Sequence, residues 1–206
     1  MSLERALGRR LARAATNAVV RQPALWRVFA PLLRTQFERL APHWDSMRTA
    51  QSFAPFKAAL ESVDPPLRVL DLGTGTGEAA LLVAGRFPDA EVVGVDLADA
   101  MVEEARRKAP PELRGRVSFE RADASRLPFE DGAFDLVLLA NMIPFFDELA
   151  RVTAPGGTAV FSFSLGPETP IYVPRERLRS ELARRGFSEF ADFSAGAGTA
   201  LVARKV

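Results

Sequence analysis

Three glycines at alternate positions, Gly73, Gly75 and Gly77, follow the run Val69-Leu70-Asp71-Leu72 and precede a stretch of helical character. Glycine permits a tight turn and lets a ligand approach the backbone closely. The helix start that follows offers free amides and a positive dipole end to a carboxylate or phosphate. Nineteen residues beyond Gly77 stands Asp96, closing the run Val92-Val93-Gly94-Val95-Asp96. A carboxylate there can accept hydrogen bonds from both hydroxyls of an adenosyl ribose. Loop and acid together point to a ligand built on adenosine. Taken alone, the loop has a plainer reading, a turn that merely lets strand and helix pack.

Two ligands satisfy these residues equally. Gly75-Thr76-Gly77-Glu78-Ala79-Ala80 fits G-x-G-x-x-A, a dinucleotide-binding fingerprint, so a nicotinamide dinucleotide is as well served as S-adenosylmethionine. Three further segments follow in order: Ala122 to Phe129 (A-D-A-S-R-L-P-F), Phe134 to Asn141 (F-D-L-V-L-L-A-N) and Glu148 to Gly157 (E-L-A-R-V-T-A-P-G-G). With Asp71 to Gly77 and Val93 to Leu97, they make residues 67–163 resemble class I, Rossmann-like S-adenosylmethionine-dependent methyltransferases. The compact type related to quinone-biosynthesis methyltransferases is the one it is similar to.

The resemblance implies S-adenosylmethionine as cofactor and gives each motif a role. Gly73, Gly75 and Gly77 would pass beneath the methionine and ribose portions, while Asp71 orders the loop and helps hold the ligand's amino group. Asp96 would take the ribose hydroxyls and Leu97 would pack on the adenine face. Asp123 would accept from the adenine amino group and the Ala124 amide would donate to the ring; the plainer role for Asp123 is a turn cap. Asn141 and Met142 would leave the fourth strand at the topological switch point, where open sheets place ligands. Trp44, in His43-Trp44-Asp45, would cover the methionine end, with an ordinary core tryptophan as the alternative.

Methyl transfer from a sulfonium is an in-line displacement, and much of its catalysis can come from alignment alone. A hydroxyl acceptor also needs a base, whereas a neutral amine need only be deprotonated beforehand. No obvious base stands in the sequence. Asn141-Met142-Ile143-Pro144 replaces the histidine that many small-molecule relatives carry after the fourth strand. It also departs from the Asn-Pro-Pro-aromatic motif of amino-methyltransferases acting on nucleic acid. His43, Asn141 and Tyr172 are the remaining catalytic candidates, with Glu168 and Thr169 beside Tyr172 after the fifth strand. The expected activity is methyl transfer to an unidentified small-molecule acceptor; a cofactor-binding regulatory protein without turnover is the alternative.

The elements that must position these residues can be read from periodicity. Residues 67–72, 91–96, 117–121, 134–140 and 158–163 are short, apolar and β-branched or aromatic. Helical stretches at 78–87, 99–109, 146–152 and 174–185 alternate with them. Such alternation predicts a mostly parallel sheet with helices on both faces. Residues 187–193 and 199–204 are joined by a link too short for a crossover helix, so they pair antiparallel. The expected fold is therefore a Rossmann-like α/β sheet of seven strands with an antiparallel terminal strand. Pro65-Pro66 divides it from a helical segment, giving an N-terminal cap over 1–64 and a cofactor-binding domain over 65–206. In the cap, Leu3, Leu7, Leu11 and Ala15 recur at four-residue spacing, Leu25 to Leu33 suggest a second amphipathic turn, and Phe53 to Val63 a third helix.

Composition bounds the rest. There is no cysteine and one histidine, His43, which excludes disulfides, thiolate chemistry, cysteine-ligated zinc and histidine-rich metal sites. No metal is expected, and absent cysteine suits a reducing cytoplasm. No apolar run reaches the roughly 18 residues of a membrane span. Net charge is +1, yet residues 1–37 hold seven arginines against Glu4, leaving −5 on the remainder. That spacing reads first as a solvated helix face, with a membrane-surface helix as runner-up and no nucleic-acid partner expected. An arginine-rich, acid-poor start also has the look of an organelle transit peptide, a reading ranked below these. The helices are expected to pack on the open edge of the sheet and help close the cofactor site.

Overall fold

Strand and helix begin to alternate at Arg68. A computed structural model describes the backbone of residues 3–206 and their side chains except those of 3–9, 11 and 50. The described helices are α1 (Leu3–Arg21), α2 (Trp26–Leu40), α3 (Ala54–Leu60), α4 (Glu78–Arg86), α5 (Asp99–Lys108), α6 (Phe146–Val152) and α7 (Arg175–Ala183). The strands are β1 (Arg68–Leu72), β2 (Glu91–Asp96), β3 (Val117–Arg121), β4 (Phe134–Ala140), β5 (Thr153–Phe163), β6 (Phe187–Ala195) and β7 (Gly198–Lys205). They form one sheet in the order β3-β2-β1-β4-β5-β7-β6. β1 to β5 pair in parallel, while β7 runs antiparallel to both β5 and β6. The order reverses direction between β1 and β4, which is where an open sheet of this kind leaves a crevice.

The sheet is buried on both sides, as its unbroken apolar strands require. Alternate residues face opposite layers. Leu70, Leu72, Val137, Leu139 and Phe161 pack with α6 and α7 residues and with Val19, Val20 and Trp26 from α1 and α2. Val69, Leu136, Leu138 and Val160 pack on the other face with residues of α3, α4 and α5. Phe56 of α3 is fully buried, and α3 lies against β5, β6 and β7. Each such aromatic or aliphatic side chain contributes roughly 1.5–3 kcal/mol.

The amino-terminal helices differ from expectation in two respects, and a further expectation lies outside the described side chains. The apolar stripe Leu3, Leu7 and Leu11 falls on side chains outside the described residues; the inward face that is described consists of Thr16, Val19 and Val20. α2 runs on past Leu33 to Leu40, with Pro31 inside it. Finally, α1 and α2 do not lie along an edge strand. Arg13 turns inward and donates to the carbonyls of Pro167 and Thr169 after β5. Trp26 reaches Asp123 after β3 and the Phe145 ring after β4. Glu38 reaches Asp99 and Ala100 after β2, and Asp45, just beyond α2, reaches Thr76 after β1. This one segment touches the loops that follow all five parallel strands.

Candidate functional site

The glycine loop leaves β1 in a conformation that L-residues resist. Gly73, Gly75 and Gly77 have φ of 67°, 56° and 86°, all in the left-handed region. The loop is pinned by Thr74 N–H donating to the Val95 carbonyl at 2.9 Å and Gly77 N–H to Thr74 at 2.9 Å. Space matters as much as angle. A Cβ on Gly77 would stand 2.9 Å from the Phe119 ring, so this glycine lets α4 and β3 approach. A Cβ on Gly73 would meet the Met142 sulfur at 2.7 Å, and one on Gly75 the Trp44 Nε1 at 3.2 Å. Met142 and Trp44 thus lie against the loop from opposite parts of the sequence.

Three predicted carboxylates stand at or near the ends of β1, β2 and β3, each held differently, and two of them, Asp71 and Asp96, touch this loop. Asp71 is 1% exposed. Its Oδ2 accepts from Thr74 Oγ1 at 2.6 Å and Ala80 N–H at 3.2 Å, while its buried Oδ1 has no partner. Burial pushes its carboxyl up to about 7, only partly opposed by the Thr74 and Ala80 bonds and the Arg48 charge. Asp96 accepts from Gly75 N–H at 2.9 Å and Ala98 N–H at 3.0 Å, one on each oxygen. A carboxylate offers about four acceptor positions, so room remains for a hydroxyl beside these donors and the Leu97 amide. Burial raises its pKa as well. Asp123 is bound through Oδ1 by Ser125 N–H and by Trp26 Nε1, each at 2.8 Å. The turn-capping role is therefore realised here alongside any ligand role, with Ala124 buried behind it.

The segment from α2 to α3 supplies the other wall through short 3-10 turns. Trp44 is half-buried, its ring edge-on to Phe37 at 5.6 Å, and its Nε1 is buried without a partner. The Arg48 guanidinium lies 5.1 Å from the Trp44 ring and 5.1 Å from that of Phe53, with a long contact to Glu78 at 3.5 Å. Asp45 accepts from Thr76 Oγ1 at 2.6 Å and Lys108 Nζ at 2.7 Å. Burial opposes its charge, but these two donors hold it below the usual carboxylate range. Glu38 accepts from the Asp99 and Ala100 amides, both at 2.9 Å. Burial opposes that charge too, yet the two amides and Arg34 lower its pKa.

Trp44, Asp71, Asp96 and the glycines thus meet around one loop. Leu97 is half-buried and lines a cavity of about 620 Å³ with Ala30, Pro31, Arg34, Glu38 and Arg121. The catalytic candidates are more scattered. His43 is exposed. Asn141 adopts φ 55° and ties the ends of β4 and β5 together, its Oδ1 accepting from Ser164 N–H at 2.9 Å. Tyr172 stacks edge-on against Phe163 at 5.1 Å. Thr169 is buried, accepting from Leu165 N–H. Glu38 and Arg48 are wall residues that motif reading passed over, whereas Asp45 stood in the patch His43-Trp44-Asp45 without a role of its own. One signal was available: Ala98 at the start of α5 cannot cap its amides, so an acceptor had to come from elsewhere. Among the described residues no cluster of three His, Cys, Asp or Glu side chains suits a metal ion.

Comparison with known families shows what this frame resembles. A family described as a methyltransferase domain matches residues 69–157, from β1 through the turn inside β5. Residues 69–157 are thus similar to a methyltransferase domain. The demethylmenaquinone methyltransferase of Thermus thermophilus is 46% identical over 138 residues, covering 60% of this chain and 62% of that protein. The malonyl-[acyl-carrier protein] O-methyltransferase of Halorhodospira halophila is 38% identical over 148 residues, covering 66% and 49%. The chain thus spans less than two thirds of the length of these relatives. Among solved structures, the complex of the Haloferax volcanii Trm112 methyltransferase activator with a methyltransferase contains a similar fold. Its TM-score is 0.66 at 20% identity, covering 82% of this chain and 97% of that one. The fold, the glycine loop and the crevice therefore stand where the alternation of strand and helix put them.

Proposed function

We propose that this chain is an S-adenosylmethionine-dependent methyltransferase acting on a small-molecule acceptor. The observation that carries the reading is a pair of orphaned polar atoms at the glycine loop. Asp71 Oδ1 is a buried acceptor without a donor, and Trp44 Nε1 is a buried donor without an acceptor. Buried polar groups are almost always satisfied, so two orphans at one loop call for a ligand that supplies both halves. With the Arg48 cation beside Trp44, the set suits an amino-acid zwitterion: ammonium toward Asp71, carboxylate toward Trp44 and Arg48. S-adenosylmethionine carries that group and a nicotinamide dinucleotide does not.

In this reading Asp96 holds the ribose hydroxyls, Leu97 packs on the adenine and Asp123 offers its second oxygen to the adenine amino group. Bound there, S-adenosylmethionine supplies an electrophilic methyl group. Residues 1–64 act as the cap, with Trp44 excluding water from the methionine end and Trp26 closing the adenine end. The domain's own contribution is alignment and desolvation rather than proton transfer. The relatives named above act on a quinone precursor and on a carrier-bound malonyl group, which supports a small acceptor. We place the protein in the cytoplasm; among the described residues no helix is long and apolar enough to cross a membrane. Calorimetry with S-adenosylmethionine and NAD on one preparation tests the cofactor, with mass spectrometry for co-purified S-adenosylhomocysteine. Binding of S-adenosylmethionine alone is expected; binding of NAD alone would overturn the reading. A labelled-methyl screen of metabolites then separates turnover from regulatory binding.

A further inference from the structure

Helices α1 and α2 each keep a second face exposed. On α2 the residues turned inward are Trp26, Phe29, Leu33 and Phe37. The outward residues Val28, Leu32, Thr35 and Arg39 recur at helical spacing, forming a stripe of their own. Val28 is 63% exposed and Leu32 69%, one turn apart, with Arg27 and Pro31 exposed beside them. On α1 the outward stripe is Arg10, Ala14, Asn17 and Arg21. Between Arg10 and Arg39 the one acidic residue is Glu38. Its carboxylate is turned away from both stripes, bound to the Asp99 and Ala100 amides. The outward faces therefore present four arginines, two bare aliphatic side chains and no acid.

We propose that the outward face of α2 docks on an anionic membrane surface, with Val28 and Leu32 entering the headgroup boundary and Arg27 and Arg39 beside them meeting lipid phosphates. Apolar residues framed by cations on an interfacial helix fit that surface and few others. A second copy of the chain would set the same arginines against themselves, since a two-fold contact pairs like with like. A nucleic acid would satisfy the arginines but leave Val28 and Leu32 against phosphates with nothing apolar to meet. Pro31, Thr35 and Arg39 also line the cavity beside Leu97, whereas Val28 and Leu32 do not, so the membrane contact lies at the cavity's rim and leaves the inward face of α2 to the cap. The proposal stands independently of the cofactor reading.

The test is co-sedimentation of the full chain with vesicles of phosphatidylcholine alone and of phosphatidylcholine mixed equally with phosphatidylglycerol. Two double variants, Val28→Ser with Leu32→Ser and Arg27→Gln with Arg39→Gln, accompany the wild type. Their thermal midpoints report folding without involving the cofactor. The wild type is expected to pellet with the anionic vesicles only, and less so as salt is raised. Each arginine removed should weaken binding about fivefold, and the serine pair should weaken it at least as much as the glutamine pair. A wild type that ignores anionic vesicles overturns the proposal, as does a folded serine variant that binds as well as wild type. If a variant fails to fold, the lipid selectivity of the wild type still decides, because equal binding to both vesicle types also overturns it.

Discussion

Replacing Asp71 by asparagine should make the protein more stable and a poorer cofactor binder, and both effects can be sized. Burial raises the Asp71 carboxyl from its ordinary 3.8 to about 7. The folded state thus keeps the proton to a higher pH than the unfolded chain does. An acid perturbed in this direction contributes most below pH 3.8, and its contribution falls as pH rises to about 7, then levels off. Each pH unit inside that window costs about 1.4 kcal/mol. Asparagine has the same shape and does not titrate. The stability difference in favour of Asp71→Asn should therefore grow by roughly 3 kcal/mol between pH 5 and pH 8. Urea unfolding of both proteins at the two pH values measures it. The function runs the other way. An amide cannot accept from an ammonium as a carboxylate does, so affinity for S-adenosylmethionine should drop by about 1.5–3 kcal/mol. In the wild type, affinity should climb with pH up to about 7 and then plateau, because the ligand needs the ionised form. A variant with wild-type affinity and no pH-dependent gain would refute the claim that this oxygen is kept bare for a ligand.

The other expectations are smaller in scope. Asp96→Ala should weaken S-adenosylmethionine binding by about 1.5–3 kcal/mol in calorimetry, the scale of hydrogen bonds to a charged group; unchanged affinity would remove Asp96 from the site. Gly75→Ala should lower stability by roughly 1–2 kcal/mol, the cost of a left-handed residue, and should displace Trp44, whose Nε1 stands 3.2 Å from the added Cβ. Retained cofactor affinity in that variant would make the loop a mere turn. Trp44→Phe keeps a ring against Phe37 and Arg48 but deletes the orphaned donor, so the cofactor-free protein should gain up to about 1–3 kcal/mol while cofactor affinity falls. A Trp44→Phe protein that binds as tightly as wild type would show that the indole N–H never meets the ligand.

The sheet was legible because each strand declares itself locally. Phe134–Ala140 and Glu91–Asp96 are short apolar runs bounded by turn residues, and the structure keeps their limits. β5 starts five residues earlier than its pattern suggests. The Pro155-Gly156-Gly157 stretch looks like a pure turn, yet Thr153 already pairs with Phe134 before a register shift. The glycine loop and its acids were equally visible, since a left-handed turn beside a buried strand admits little but glycine. The cap was not. Nothing near Arg13 in sequence foretells that it will bind carbonyls more than 150 residues away, and a helix wheel assigns it to solvent with its neighbours. Glu38, Asp45 and Arg48 owe their roles to where α2 docks, which depends on the tertiary fit of Trp26 and Phe37 rather than on any local pattern.

That docking explains how a chain with no evident base can still be organised for chemistry. Contacts from α1, α2 and the turn beyond them fall on the loops after all five parallel strands, so one continuous segment links every loop. Asp45 joins the glycine loop to α5 through Thr76 and Lys108, and Glu38 joins α2 to the same helix. Both acids are fully ionised near neutrality, since their pKa values are lowered, and they fix the wall in place. Asp71 and Trp44, between those anchors, are left unsatisfied at a cost of about 1–3 kcal/mol each. Structures carry such costs mainly at functional sites. Rigid walls around two unmet polar groups favour a ligand that arrives already shaped for them, because little ordering remains to be done on binding. On the proposed function, alignment of acceptor and donor would fall to the segment that walls the loop, and the acceptor's own acidity would decide whether a proton must be removed at all.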